Sequence, residues 1–318
     1  MTTVATDDDD RTMREALEAV LGPVSEPVLL AGGASKEAWA VDAGADRLLV
    51  RRAAGGVIHR HTLSLKHEFE VLSVAFESGV KVPRPVVYID DLDGREAFVM
   101  ERLEGETIGR RIVRMDAPAR LPLQMAEELA KIHAVPRDRL PFLTEVRLER
   151  LVDELDEVGE PHPAIELGLW WLRENMPASR EPVVNHGDYR IGNVVVDENG
   201  LVGILDWEFA HLDDPVRDLG FGLVRAWRFG VDDKRLGGIA DVEPYLERYN
   251  ELTGFEVRPE ELDYWELAGN VGWAIGCLTQ MMRHLRGQDR SVELATLGRL
   301  GAEVEYEICH LLEAKGVT

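Results

Sequence analysis

The chain has 318 residues, a formal net charge of −23 at pH 7 and a hydrophobic content of 45%. This length fits one large domain or two lobes, and the apolar content is sufficient to build cores of that size. The negative charge argues against nucleic acid and anionic membranes as partners, because their phosphates would repel the surface. A cationic substrate would be attracted, although an acidic composition can also serve solubility alone.

Cysteine use and the N-terminus bear on the cellular compartment. Cys277 and Cys309 lie in segments of helical periodicity, away from any His/Cys cluster with metal-ligand spacing, and we expect buried thiols. The polar segment 1–10 ends in aspartates and lacks the basic and apolar regions of a signal peptide. No stretch approaches the length of about 18 apolar residues that suggests a membrane span. We therefore expect a soluble, cytoplasmic protein.

Hydrophobic periodicity predicts a small antiparallel sheet in the first third of the chain. A helix is predicted over 12–20, and an amphipathic helix over 61–77 follows the third strand. The predicted strands are 28–31, 36–41, 47–53, 85–89 and 96–101. An Asp-Gly turn at 93–94 separates the last two strands. These elements predict a separate N-terminal sheet lobe.

Helical patterns dominate from Thr107 onward, apart from short hairpins. The predicted helices are 117–135, 148–155, 165–174, 242–253, 260–286 and 292–314. The sequence contains no internal repeat and no low-complexity linker. We therefore predict an acidic tail with a helix over 1–24, an N-lobe over 25–102 and a larger, mainly helical C-lobe over 103–318.

The most informative stretch is His-Gly-Asp-Tyr-Arg-Ile-Gly-Asn at 186–193, followed by Asp-Trp-Glu at 206–208. In phosphoryl transfer one aspartate accepts the proton of the attacking hydroxyl, an asparagine holds magnesium, and a second aspartate binds the metal that bridges the ATP phosphates. Asp188, Asn193 and Asp206 have the spacing for these roles. The residues between them predict a β-hairpin around a polar turn, which would bring the two metal ligands together.

This block resembles that of the aminoglycoside phosphotransferase and choline kinase-like family, whose members are small-molecule kinases. Protein kinases instead carry arginine where this chain has Gly187, and their activation segment ends in Ala-Pro-Glu. Residues 213–220 here are similar to the family's short Asp-Pro-x-x-Asp-Leu segment. The resemblance spans about Val28 to about Leu312. It implies an α+β, protein-kinase-like two-lobed fold, ATP or GTP as phosphoryl donor, Mg²⁺, and a hydroxylated small molecule as acceptor.

The resemblance also implies nucleotide contacts in the N-lobe. The glycine pair at 32–33 and Ser35 lie between two strands, where backbone amides and the hydroxyl could bind phosphate. The alternative is an ordinary hairpin turn. The run 98–105 resembles the family's hinge, and the Glu101 carbonyl and the Leu103 amide are its expected adenine contacts.

The third strand departs from the protein-kinase pattern, because Arg51 stands where a lysine is usual. Strand alternation directs Arg51, and not Arg52, into the cleft. Its expected partner is Glu68 on the following helix, with Glu70 as a competitor. A guanidinium can bind phosphate, although its reach differs from that of lysine. The alternative is a solvated surface pair between Arg51 and Glu68.

Other residues near the motif have less specific roles. Arg190 is expected beside the transferring phosphoryl group, or alternatively on the surface. Glu208 could assist a second magnesium ion or bind substrate. His186 is expected to form hydrogen bonds within the loop, Asp218 to anchor the loop backbone, and His133 to be structural.

The acceptor pocket is expected between the segment 108–182 and the C-terminal helices. Their tryptophans could line this pocket or fill a helical core. Arg225 and Arg228 flank Trp227 and could bind an anionic acceptor. We therefore predict an O-phosphotransferase for a metabolite rather than for an aminoglycoside, with the strongest impression of similarity to kinase domains associated with acyl-CoA dehydrogenases. The alternative is a nucleotide-binding pseudokinase with a regulatory or interaction role, and the oligomeric state is left open.

Overall fold

A computed structural model describes residues 7–30, 36–54, 61–115, 119–178, 180–288 and 291–317. Its first sheet has five antiparallel strands in the spatial order β1-β2-β3-β5-β4. They are β1 Val28–Leu30, β2 Lys36–Ala43, β3 Asp46–Ala53, β4 Pro85–Ile89 and β5 Ala97–Glu101. All five predicted strands are present. The glycine pair and Ser35 lie outside the described residues.

Two helices cover opposite faces of this sheet. Helix α1, Asp7–Leu21, packs on the face that carries Trp39 and Val50. It begins earlier than predicted. Helix α2, Leu65–Glu77, begins later than predicted, since the Ser64 hydroxyl caps it by accepting a hydrogen bond from the His67 N–H at 3.2 Å.

The remainder of the described chain is mainly helical. Its helices are α3 Gly109–Ile112, α4 Leu121–His133, α5 Leu148–Val158, α6 Pro163–Glu174, α7 Val216–Phe221, α8 Glu243–Thr253, α9 Pro259–Leu285 and α10 Val292–Ala314. Two small two-stranded antiparallel sheets interrupt them, one of β6 Val183–Asn185 with β9 His211–Asp213, and one hairpin of β7 Val194–Asp197 with β8 Gly200–Ile204. The sequence patterns did not predict α3, α7, β6 or β9, because these elements are too short to show a clear hydrophobic period.

One large apolar core connects the sheet to the catalytic segment. Phe98 and Met100 of β5 belong to the same buried cluster as Ile204 of β8 and Leu219 of α7. A second cluster joins α5, α6, α9 and α10. The nucleotide-side sheet and the β7–β8 hairpin are therefore packed against a shared interior, which fixes the residues at their junction.

Two expectations about the surface can be checked. Cys277 is buried as expected, whereas Cys309 is exposed, so the prediction of a buried thiol is wrong for Cys309 because it lies on the outward side of α10. Among the residues that the structure describes, no helix combines the length and the apolar character needed to cross a membrane.

Candidate active site

The β7–β8 hairpin joins the three motif residues into one unit. The Asn193 side-chain amide donates hydrogen bonds to the Asp188 carboxylate at 2.5 Å and to its backbone carbonyl at 3.0 Å. The Leu205 N–H in turn donates to the Asn193 carbonyl at 2.8 Å, and Asp206 follows directly. Asp206 has a φ of +68°, a left-handed conformation that residues other than glycine seldom adopt outside functional sites. The hairpin thus brings the residues together as the spacing predicts.

Asp218 of α7 holds the loop that carries Asp188. Its carboxylate accepts hydrogen bonds from the backbone N–H groups of His186 at 2.6 Å and Gly187 at 2.9 Å. The imidazole of His133 lies 3.4 Å from the same carboxylate. Burial disfavours the charged acid, yet the His133 contact and nearby histidines hold the pKa of Asp218 below its usual value. Asp218 is therefore an ionised anchor, as the sequence predicts.

Gly187 and His186 have structural roles in this loop. Gly187 has a φ of +82°, and a Cβ atom there would lie 2.2 Å from the Phe209 carbonyl oxygen. No other residue fits, which explains the glycine at this position. The Asp188 N–H donates to His186 Nδ1 at 3.2 Å, so Nε2 carries the proton and donates to the Leu205 carbonyl at 3.0 Å. Burial lowers the pKa of His186, which favours this neutral form.

Arg190 contacts Asp188 directly and does not lie free on the surface. Its Nε donates to the Asp188 carboxylate at 2.8 Å, and its guanidinium lies 4.3 Å from the centre of the Trp227 ring. Burial raises the pKa of the Asp188 carboxyl, an effect that the Arg190 charge only partly offsets. Trp227 is a site residue that sequence reasoning noticed but did not connect to Arg190.

Arg51 points into the junction between the sheet and the hairpin. Its Nη2 donates to Asp206 Oδ1 at 3.0 Å, while its Nε lies 3.8 Å from Glu68 Oε1. Burial would lower the pKa of Arg51, but the carboxylates of Glu68, Asp206 and Glu208 outweigh that effect and raise it. Arg51, Glu68 and Asp206 also line one small cavity of about 10 Å³. The side chain of Glu68 is buried and that of Arg51 is 17% exposed, so the alternative of a solvated surface pair does not hold.

Lys36 is a member of this cluster that sequence reasoning did not consider. Its Nζ forms a hydrogen-bonded ion pair with Glu68 Oε2 and a second ion pair with Glu208 Oε2 at 2.9 Å. Burial raises the pKa of Glu208, an effect that Lys36 partly offsets. Burial likewise opposes ionisation of Asp206, but Arg51 and Lys36 hold the pKa of Asp206 below its usual value. The alternation of side chains between the two faces of β2 was the signal that could have placed Lys36 on the same face as Arg51.

The expected hinge residues lie beside the catalytic hairpin. Glu101 is the last residue of β5 and pairs with Leu48 of β3. The Leu103 side chain covers Gly203 of β8, since a Cβ atom at Gly203 would lie 2.3 Å from Leu103 Cδ1. Arg102 is tied to the sheet by its N–H, which donates to the Arg47 carbonyl at 2.9 Å. This segment therefore connects the sheet to the helical part of the chain.

The two arginines around Trp227 are engaged by acidic side chains. Arg225 Nη2 lies 2.8 Å from Asp232 Oδ2. The buried Arg228 donates to Glu266 Oε1 at 2.5 Å. Both arginines are thus held in ion pairs, and their binding of an anionic acceptor stays a prediction.

A large cavity of about 670 Å³ adjoins the catalytic loop. It reaches Gly187, the residue before Asp188, and Phe221, whose ring packs 5.6 Å from that of Trp227. Its walls come from the segments 145–151 and 176–182 and from helices α7 and α9. These are the segments from which the sequence predicts an acceptor pocket.

A sequence profile of the phosphotransferase enzyme family matches residues 27–254. The chain belongs to this family. This match confirms the predicted resemblance. Membership of the family identifies the chain as a small-molecule kinase. The HGD loop, the hairpin and Asp206 all lie within the matched range.

Individual relatives agree with this family assignment. Acyl-CoA dehydrogenase family member 11 from Pongo abelii is 25% identical over 244 residues, which cover 71% of this chain and 31% of that protein. The chain thus spans about a third of the length of the curated relative. A similarity to a protein of this group, which the sequence suggests, is thus found.

Solved structures confirm the α+β, protein-kinase-like fold. A Ralstonia eutropha protein assigned as an aminoglycoside phosphotransferase has a TM-score of 0.72 at 21% identity, covering 92% of this chain and 97% of that one. Spectinomycin phosphotransferase, solved with ADP and spectinomycin, has a TM-score of 0.69 at 16% identity, covering 94% and 98%. Identities this low establish the fold and leave the substrate of this chain open.

Proposed function

We propose that the protein transfers the γ-phosphoryl group of ATP or GTP to a hydroxyl group of a small molecule, in a magnesium-dependent reaction. The observation that carries this proposal is the connected unit of Asp188, Asn193 and Asp206. Asn193 bonds to the Asp188 carboxylate through its side chain and to the residue before Asp206 through its backbone. A base and two oxygen ligands held in one unit are what phosphoryl transfer requires.

The hairpin residues fit a magnesium ion. Because the Asn193 amide nitrogen is engaged with Asp188, its carbonyl oxygen is left as a ligand. Asp206 is ionised and commits one oxygen to Arg51. Mg²⁺ prefers such hard oxygen donors and completes its shell with phosphate oxygens and water. The bound ion would neutralise charge on the donor phosphates, and Glu208, held by Lys36, is not required for it.

Asp188 is proposed to orient the acceptor hydroxyl and to accept its proton. The hydroxyl oxygen forms a bond to the γ-phosphorus, and the bond to the bridging oxygen breaks as the nucleoside diphosphate leaves. Burial raises the pKa of Asp188, which strengthens it as a base. Arg190, bonded to that carboxylate at 2.8 Å, is proposed to neutralise charge at the transferring group.

The nucleotide is proposed to bind in the segment 25–102. Ser35 would contact phosphate, and Arg51 and Glu68 would form the charged floor of the phosphate site beside Asp206. The Glu101 carbonyl and the Leu103 amide would bind the adenine or guanine edge. This placement is supported by the position of Arg51 between Asp206 at 3.0 Å and Glu68 at 3.8 Å.

The acceptor is proposed to bind within the segment 103–318, in the cavity of about 670 Å³ beside Gly187. Two cavity arginines pair with its carboxylates, Arg217 with Asp213 at 2.6 Å and Arg180 with Asp214 at 3.7 Å. The lining nevertheless carries an excess of carboxylates, because it also includes Glu145, Glu149, Glu181 and Asp218 and only one further arginine, Arg147. The proposed preference for a neutral or weakly charged hydroxylated metabolite over an aminoglycoside therefore rests on the aromatic part of the wall, which includes Phe221, Tyr264 and Trp265.

Phosphoryl transfer to a panel of hydroxylated metabolites tests the proposal. Purified protein would be incubated with Mg²⁺ and γ-¹⁸O-labelled ATP or GTP, and mass spectrometry would detect labelled phosphate esters. The proposal expects at least one labelled ester that is absent without Mg²⁺. Nucleotide binding without any ester would favour the pseudokinase alternative, against which the intact base and metal-ligand residues argue.

A further inference from the structure

A buried lysine lies at the start of β2, next to the phosphate-side residues. Lys36 follows directly after the 32–35 segment and is 6% exposed. The chain has six lysines, and Lys36 is the one whose side chain is buried. The others are Lys66, Lys81, Lys131, Lys234 and Lys315. A buried ammonium is costly unless anions surround it, so its position calls for a partner set.

Backbone register directs Lys36 to the same side of the sheet as Arg51. In the β2–β3 ladder Lys36 pairs with Ala53, and Ala38 pairs with Arg51. Alternate residues of a strand share a face, so Lys36 and Arg51 both face the junction with the hairpin. The opposite face carries Trp39, which packs against α1. The placement of Lys36 therefore follows from strand pairing as well as from its side-chain contacts.

The helix glutamate is hydrogen-bonded to Lys36, whereas its contact with the β3 cation is a longer ion pair. Glu68 Oε2 accepts a hydrogen bond from Lys36 Nζ. Arg51 is 3.8 Å from Glu68, beyond hydrogen-bonding distance, and bonds instead to Asp206 at 3.0 Å. In protein kinases the β3 lysine both pairs with the helix glutamate and contacts phosphate. Here β2 supplies the hydrogen bond to the glutamate, and the β3 arginine keeps only the longer ion pair.

The ammonium also has bonding capacity to spare. An ammonium group has three N–H donors; among the described residues one donates to Glu68, while Glu208 contributes an ion pair at 2.9 Å. Within the part of the chain that the structure describes, donor capacity is thus left for a ligand that enters beside Lys36 and Asp206. A phosphate oxygen is the ligand that this combination of charge and position fits.

We propose that Lys36 is the residue that contacts the α- and β-phosphates of the nucleotide, while Arg51 stabilises Asp206. This inference rests on the nucleotide site of the proposed function and deepens it by naming the phosphate ligand. It explains how a chain with arginine on β3 retains a phosphate-binding lysine.

The unmodified protein tests the inference first. An ATP acyl phosphate binds as a nucleotide and transfers its acyl group to a lysine amine beside the phosphates, releasing ATP. We expect peptide mass spectrometry to find the acyl group on Lys36, and excess MgATP to suppress the labelling. Labelling confined to other lysines, such as Lys81, would overturn the inference.

Binding by variants provides the second test. Lys36→Met is expected to weaken binding of the magnesium complex of AMP-PNP by at least about tenfold, because a charged hydrogen bond is lost. Binding of adenosine, which lacks phosphate, should be unchanged. Lys66→Met, an exposed lysine on the helix that carries Glu68, is the matched control and should bind both ligands normally. Unchanged AMP-PNP affinity in Lys36→Met, or an equal loss of adenosine affinity, would overturn the inference.

A charge-relocation variant completes the design. Lys36→Met/Arg51→Lys restores a lysine to β3 and should recover part of the lost AMP-PNP affinity. No recovery would count against a phosphate role for Lys36. None of these measurements requires phosphoryl transfer. A protein that binds nucleotide through Lys36 but phosphorylates nothing would contradict the proposed function and leave this inference standing.

Discussion

Arg51 and Asp206 form a hydrogen bond of 3.0 Å between the sheet and the catalytic hairpin, across 155 positions of sequence. The bond places a permanently charged guanidinium beside the Asp206 carboxylate, which is a proposed magnesium ligand. It makes Asp206 an ionised group before nucleotide binds, because the Arg51 charge favours the carboxylate form. It also separates the two adjacent arginines of β3 in function, since Arg52 bonds to Glu37 at 2.7 Å on the other face.

Substitution of the two arginines should have different consequences. Arg51→Ala is expected to weaken MgATP binding by about tenfold, because it removes a buried charge beside Asp206. Arg52→Ala should leave that affinity nearly unchanged and lower the free energy of unfolding by about 1–3 kcal/mol through the lost Glu37 bonds. Calorimetry and urea denaturation would measure both. Equal effects on nucleotide binding would show that the strand register is misassigned.

The metal assignment predicts a loss of magnesium-dependent binding. Asn193→Ala and Asp206→Ala each remove a proposed oxygen ligand, so MgATP affinity should fall while metal-free adenosine binding persists. Titration calorimetry with and without Mg²⁺ would separate the magnesium-dependent part of nucleotide binding from the metal-free part. Asp197→Ala, at the end of β7, is a control outside the proposed site. Wild-type MgATP affinity in both site variants would contradict the assignment.

The loop anchor predicts a pH-dependent contribution to stability. Asp218→Asn should lower the free energy of unfolding by at least about 1.5 kcal/mol at pH 7, because two backbone N–H groups lose a charged acceptor. The pKa of Asp218 is lower in the folded state. Its stabilisation is therefore complete above the unfolded value of about 3.9 and is lost as pH falls through the folded pKa.

Urea denaturation at pH 7 and at pH 3 would check this contribution. The difference between wild type and Asp218→Asn should be smaller at the lower pH. Asp232→Asn is the control, since Asp232 pairs with Arg225 at the surface and should change stability by less than about 1 kcal/mol. If the stability difference between wild type and Asp218→Asn grew toward low pH, it would contradict a lowered pKa of Asp218 in the folded state.

Aminoglycosides are predicted to be poor acceptors. The proposed acceptor cavity has an aromatic wall at Trp265, which fits a neutral metabolite, and its arginines Arg180 and Arg217 pair with two of its carboxylates. If long-range attraction recruited such substrates, their turnover would fall steeply with salt, whose screening length is about 8 Å at physiological ionic strength. Phosphorylation of kanamycin and gentamicin would be measured at low and high salt to test this prediction. Efficient phosphorylation of either would contradict the preference for a metabolite.

Much of the fold could be predicted because its signals are local. The strands of the first sheet show alternation and turn residues, and the motif spacing from Asp188 to Asp206 encodes a hairpin that returns to its starting point. Alternation along β3 also indicated which of Arg51 and Arg52 faces the cleft, and the structure places Arg51 there.

The remainder depends on contacts between distant segments, which no local pattern reports. Lys36 meets Glu68 from 32 positions away because β2 and α2 pack against the same junction. Arg228 is neutralised by Glu266 from 38 positions away. The sequence showed two arginines around a tryptophan, but the carboxylate that occupies one of them lies on α9. Short elements such as α7, which carries Asp218, have too few residues to show a period.

The central claim is that Asp188 is the base of a phosphotransferase, and a matched comparison of wild type and Asp188→Asn tests it most directly. Both proteins would be assayed for transfer of γ-³²P from MgATP to the best acceptor of the metabolite panel, with MgATP affinity measured in parallel. The account predicts equal nucleotide affinity and a transfer rate roughly 10²–10⁴-fold lower in the variant. Transfer by Asp188→Asn at nearly the wild-type rate would contradict it.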